Sequence, residues 1–90
     1  MSYNGVMPYP ADPEQIAQAL SQVIFACRQA AGLSQEELAE RSGVSQNAIS
    51  DIERGKRGPA FITFLRLAHG LGISPAELVD AIGQRLAHRP

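Results

Sequence analysis

Ninety residues, 44% of them hydrophobic, suffice for one core and not for two, since a chain of this length buries only about 60 to 65% of the surface it exposes when unfolded. Three Phe, two Tyr and no Trp beside abundant Ala, Leu, Glu and Gln favour helices over a sheet, and the net charge of −1 excludes attachment to nucleic acid or an anionic membrane by bulk charge alone. The single Cys27 excludes an internal disulfide, no close His or Cys pair offers a zinc site, and no run reaches the roughly eighteen apolar residues that span a bilayer.

The opening MSYNGVMPYPADPEQ lacks the basic-then-apolar order of a secretion signal, so a soluble, cytoplasmic chain without metal or cofactor is expected. Residues 1–11, with Asn4, Gly5 and two prolines and no apolar period, read as a flexible arm ahead of a single domain over 12–90. Asp12-Pro13-Glu14-Gln15 then supplies an N-cap, a proline suited to the first turn, an acidic start and a Gln placed for a capping box. Ile16, Leu20, Val23, Ile24 and Cys27 share one stripe before Gly32, which predicts helix 1 over 13–31. Ser34 with Glu37 starts a short second helix that Gly43 ends, and Ser45 caps a third over 46–54 with Ala48, Ile49 and Ile52 inward.

Lys56-Arg57-Gly58-Pro59 is a basic loop rich in helix breakers. Beyond it, Ile62, Leu65, Leu67, Ala68 and Leu71 build a fourth helix that stops at Gly72. Ser74-Pro75-Ala76-Glu77 is a complete start signal for a fifth, which carries Leu78, Val79, Ile82 and Leu86, with Gly83 as an interior weak point of about 1 kcal/mol relative to Ala. The fold class is therefore all-α.

Helices 2 and 3, separated by three residues, have the side chains that a helix-turn-helix requires. Ala39 is small where the next helix approaches, Gly43 accepts the positive φ of a tight turn, and Leu38, Val44, Ile49 and Ile52 face inward to lock the pair. With both isoleucines inside, helical geometry sends Gln46, Asn47, Ser50, Asp51 and Arg54 outward on one face. The amides can pair with adenine N6 and N7 in a major groove, Ser with base edges or phosphate, and Asp with cytosine N4. Arg41, Arg54, Lys56, Arg57 and Gln35 stand where phosphates would pass, and the competing reading of all these residues is a solvated surface. Charge is segregated to match: residues 12–40 carry five acidic and one basic side chain, residues 41–66 two acidic and five basic.

The segment GLSQEELAERSGVSQNAISDIERGKRGPAFITFLRLAHGLGISPAEL resembles the lambda-repressor-like, Cro/Xre-type helix-turn-helix family of bacterial and phage regulators, with the likeness running from Leu20 to about Leu78. The resemblance implies a five-helix DNA-binding domain with helix 3 in the major groove, bound as a dimer to an inverted repeat, and a transcriptional regulator that represses rather than activates. It also assigns base contacts to Gln46, Asn47, Ser50 and Asp51, phosphate contacts to Gln35, Arg54, Lys56 and Arg57, and an internal salt bridge to Arg28 and Glu53. Four residues depart from the pattern. Val23 and Phe25 are apolar where the family is polar, which suggests an extra contact surface; Asp51 adds negative charge to the reading face; and Ala60 replaces a capping Ser.

The apolar positions of helix 5 extend beyond what the family domain needs, so Val79, Ile82 and Leu86 are expected to form a homodimer interface. The rival reading is a partner-binding module, such as the antitoxin of a toxin-antitoxin pair; a restriction-modification controller or phage-type repressor is the variant within the DNA-only class. No enzyme is expected, because His69 lies mid-helix and His88 in the tail, and neither has an assignable nucleophile or orienting partner. Cys27 reads as a core residue of the helix 1 stripe.

Overall fold

The computed structural model describes residues 12–87; the expected arm over 1–11 and the tail with His88 lie outside the described residues. Five helices follow in order, α1 (Pro13–Ala30), α2 (Gln35–Ser42), α3 (Gln46–Glu53), α4 (Phe61–Leu71) and α5 (Pro75–Ala87), and the described residues contain no strand. The local start and stop signals explain the boundaries. Asp12 caps α1 by accepting from the Glu14 N–H (3.1 Å), and not through the box with Gln15. Ser34 and Glu37 close a reciprocal capping box on α2, with both bonds at 2.9–3.0 Å, and Ser74 and Glu77 do the same at the start of α5.

Ile24, Leu38, Ile49, Ile52, Leu67 and Leu78, one or two from each helix, are fully buried and form the centre of the core, with Val23, Leu33, Val44, Ala68 and Leu71 around them. Val23 therefore belongs to the interior and not to the extra contact surface expected of it. Leu20 and Cys27 are half-buried, as the α1 stripe requires, and burial pushes the Cys27 thiol pKa up, away from the reactive thiolate. Ile16, at the N-terminal end of the stripe, is exposed.

Two expectations about packing need correction. In α4 the inward residues are Phe64, Leu67, Ala68 and Leu71, spaced i, i+3, i+4, i+7, whereas Ile62 and Leu65 face solvent and Ile62 keeps 66% of its surface. In α5, Leu86 is buried within the chain and is not held in reserve for a second copy. The cause is that α5 lies along α1, where Arg85 Nη1 donates to Gln22 Oε1 (2.9 Å) near the α5 C-terminus.

α2 crosses α4 at Gly70, and this crossing sets the attitude of the helix-turn-helix. A Cβ at Gly70 would lie 2.8 Å from Ser42 Cβ and 2.9 Å from Leu38 Cδ1, so only glycine permits the approach.

Candidate nucleic-acid interface

The turn between α2 and α3 is built from three short devices. Gly43 sits at φ +74° and donates its N–H to the Ala39 carbonyl (2.9 Å), Ser42 Oγ accepts from Val44 N–H (3.1 Å), and Ser45 Oγ accepts from Ala48 N–H (3.1 Å) to start α3. Val44, Ile49 and Ile52 are then buried, which fixes the rotation of α3 about its own axis. The opposite flank carries Gln46 and Asn47, both exposed, and Ser50 and Asp51, both half-buried. Ahead of the capped Ala48 N–H, helical geometry leaves the backbone N–H groups of Gln46 and Asn47 open at the start of α3, beside their two amides.

At its far end α3 stops one residue short of the expected boundary. Gly55 at φ +73° turns the chain, with Gly55 N–H bound to Ile52 O (3.0 Å) and Lys56 N–H to Asp51 O (2.9 Å). This turn brings Arg57 of the basic loop back beside Asp51. Arg54, Lys56 and Arg57 are all exposed, and Arg54 and Arg57 lie near Asp51, at 3.5 Å and 4.0 Å from its two carboxylate oxygens. Arg41, in the last turn of α2, is exposed as well.

Arg28 and Glu53 form a two-bond pair between α1 and α3, with Nε to Oε2 at 2.6 Å and Nη2 to Oε1 at 2.9 Å, and both side chains are more than nine-tenths buried. The carboxylate beside it raises the Arg28 pKa, and Nη1 donates to the Leu33 carbonyl (2.7 Å) in the α1–α2 turn. The guanidinium carbon stands 5.4 Å from the ring centre of the half-exposed Phe25. Gln35 belongs to the same cluster, since its Nε2 donates to Glu53 Oε1 (3.0 Å). One of the two amide N–H bonds of Gln35 is thus engaged internally, and the other remains for an outside acceptor.

An open groove of about 490 Å³ runs beside the start of α3, lined among others by Ser45, Ala48, Arg57, Thr63 and Arg66. Thr63 and Arg66 were not singled out from the sequence. Arg66 contributed to the positive charge of 41–66, but only the packing of α4 against α2 places it beside Gly43, 3.9 Å from the position a Cβ would take there.

This geometry matches known proteins in both sequence and structure. The helix-turn-helix family profile matches residues 24–78, well over half of the chain. The chain belongs to the Cro/Xre-type helix-turn-helix family. Family members among curated proteins include an uncharacterised HTH-type transcriptional regulator, y4dJ, of Sinorhizobium fredii, 52% identical over 52 residues that make up 58% of this chain and 68% of that protein. The HTH-type transcriptional regulator PuuR of Escherichia coli is 46% identical over 50 residues, 56% of this chain, but those residues span only 27% of PuuR. Among solved family structures, the restriction-modification controller C.AhdI from Aeromonas hydrophila superposes with a TM-score of 0.66 at 39% identity, covering 69% of this chain and 94% of that one. The wild-type controller C.Esp1396I gives a TM-score of 0.77 at 26% identity, covering 82% and 96%. The family is one of DNA-binding transcriptional regulators and not a class of enzymes.

Proposed function

We propose that this chain is a sequence-specific regulator of transcription that binds double-stranded DNA with α3 in the major groove, acts as a repressor, and assembles as a homodimer on an inverted repeat. The observation that carries the reading is the division of α3: Ile49 and Ile52 are fully buried on one side while Gln46 and Asn47 stand free on the other. Gln46, Asn47 and Ser50 read base edges; Gln35, Arg41, Arg54, Lys56 and Arg57 meet the sugar-phosphate backbone, joined by Thr63 and Arg66 in the groove beside α3. The likeness to C.AhdI and C.Esp1396I over nearly their whole lengths supports a controller-type regulator.

The homodimer surface comprises exposed Val79 and half-buried Ile82 on α5, with Phe61, Ile62 and Leu65 of α4 as further exposed apolar residues. Those same residues favour the second reading, an antitoxin-like module whose apolar surface meets a different protein.

Selection of bound duplexes from a random pool at moderate salt tests the reading. The expected product is two half-sites with centres about 34 Å apart, one helical turn, related by a two-fold axis. Gln46→Ala should then lose about 1–3 kcal/mol on the selected site and relax preference at one base pair, with little change on random DNA. Lys56→Ala should instead weaken binding to every sequence and flatten its salt dependence by about one unit. An unselective pool would end the reading, and equal effects of the two substitutions would end the division of labour.

A further inference from the structure

Asp51 stands at the centre of the most basic part of the molecule, on a flank that would face the phosphates of DNA. Residues 41–66 hold two acidic side chains, and Glu53 is fully engaged with Arg28 and Gln35 in the interior, so Asp51 is the carboxylate exposed to an approaching duplex. Its two oxygens face two different arginines, Oδ1 toward Arg54 Nη2 at 3.5 Å and Oδ2 toward Arg57 Nε at 4.0 Å. Arg54 lies at the end of α3 and Arg57 in the loop beyond Gly55, so the carboxylate spans the helix and the returning loop. The Lys56 N–H bond to the Asp51 carbonyl (2.9 Å) fixes that return from below.

Pairs this exposed, with roughly 60% of each arginine side chain open to water, add little to folding stability. Their effect is on binding. A carboxylate between two arginines cancels part of the positive field that sequence-independent attachment depends on, and draws both guanidinium groups toward the same side of the loop before DNA arrives. In a base-reading role, by contrast, cytosine N4 would have to compete with these two arginines for the carboxylate oxygens.

We propose that Asp51 is a positioning residue and not a base reader, one that aligns Arg54 and Arg57 for the operator backbone and suppresses attachment to other DNA. The proposal rests on the reading that α3 enters a DNA groove. In this arrangement a duplex that presents phosphates to both arginines at once satisfies them and leaves Asp51 between them. A duplex in any other register brings phosphate against an uncompensated carboxylate.

The test compares the full-length wild type with Asp51→Asn, which preserves shape and removes charge, for affinity to random duplex and to the selected site across a salt series, together with the base profile from pool selection. For Asp51→Asn, affinity for random duplex should rise about five- to tenfold and its salt slope should steepen by about one unit, while the base profile stays unchanged at every position. In an Arg54→Ala/Arg57→Ala background the same change should gain about twofold or less. Loss of preference at a single base pair with random-duplex affinity unmoved would make Asp51 a base reader and overturn the proposal. So would a gain of equal size with and without the arginines, which would mean that only overall charge had been sensed. A wild-type chain that selects no duplex brings down the DNA reading itself, an outcome distinct from selective binding that ignores Asp51.

Discussion

Arg28 joins three parts of the chain with one planar group: its own helix, the Leu33 carbonyl of the α1–α2 turn, and Glu53 at the end of α3. A pair this buried gains less from its mutual attraction than desolvation costs unless every lone pair and proton is met, and here Gln35 supplies the remaining donor. Arg28→Ala would strand the Glu53 carboxylate in the interior, with an expected loss of about 3–5 kcal/mol in urea unfolding, a large part of the stability of a small domain. The capping box of α2 makes a pH prediction. The Ser34 backbone N–H donates to the Glu37 carboxylate and, with help from the Ser34 hydroxyl and Arg41, lowers its pKa below the ordinary glutamate value. A carboxyl with a depressed folded pKa contributes stability above its unfolded pKa and loses it as pH falls through the lower folded value. The stability difference between wild type and Glu37→Gln should accordingly shrink on acidification through that window, as measured by denaturation at a series of pH values; a constant difference would contradict the assignment.

Glycine has opposite meanings in α4 and α5, and two substitutions separate them. Gly70 sits where α2 and α4 touch, so Gly70→Ala should destabilise despite the gain in helix propensity, because the new methyl meets Ser42 and Leu38 at under 3 Å. A Cβ at Gly83 meets nothing within 4 Å and its φ is ordinary, so Gly83→Ala should stabilise by up to about 1 kcal/mol in the same thermal or urea melts. Element boundaries were readable from the sequence because Asp12, Ser34, Ser45 and Ser74 begin helices and Gly32, Gly43, Gly55 and Gly72 lie at or just past their ends, each by a local bond that needs no tertiary knowledge. The inward face of α4 was not, because Phe61, Ile62, Phe64 and Leu65 make its first turns apolar nearly all round, and only the Gly70 crossing selects which side turns in. Leu86 was misplaced for a related reason: an apolar stripe does not say whether it covers a neighbour in the same chain or in another copy. The outward flank of α3 was legible from Ile49 and Ile52 alone. The Arg57 partner of Asp51 and the Glu53 partner of Gln35 were not, since they depend on where the chain goes after Gly55 and on how the end of α3 meets the start of α2.

For the whole molecule, the decisive question is what covers the apolar residues that the fold leaves outside. Phe61 and Val79 retain 74% and 56% of their surfaces, and Ile62 and Leu65 are exposed beside Phe61 on α4. If a second copy covers Val79, light scattering at tens of micromolar should give twice the chain mass, and Val79→Asp should return the protein to a monomer while leaving its helical content intact. That variant should also bind a single half-site more weakly than the wild type binds the full repeat, since linkage of the two reading heads is lost. A wild-type monomer with and without DNA would contradict the homodimer.

The segments joining the helices are short, from Gly43–Ser45 between α2 and α3 to residues 54–60 between α3 and α4. Most of the backbone order is helical and so local along the chain, while the packing of α2 on α4 and of α5 on α1 joins segments that lie further apart. Helical proteins wired in this way reach their native state in roughly microseconds to milliseconds. For a molecule that acts by occupying a site, the delay before occupancy then depends on how fast copies are made and meet, and scarcely at all on how long each takes to mature.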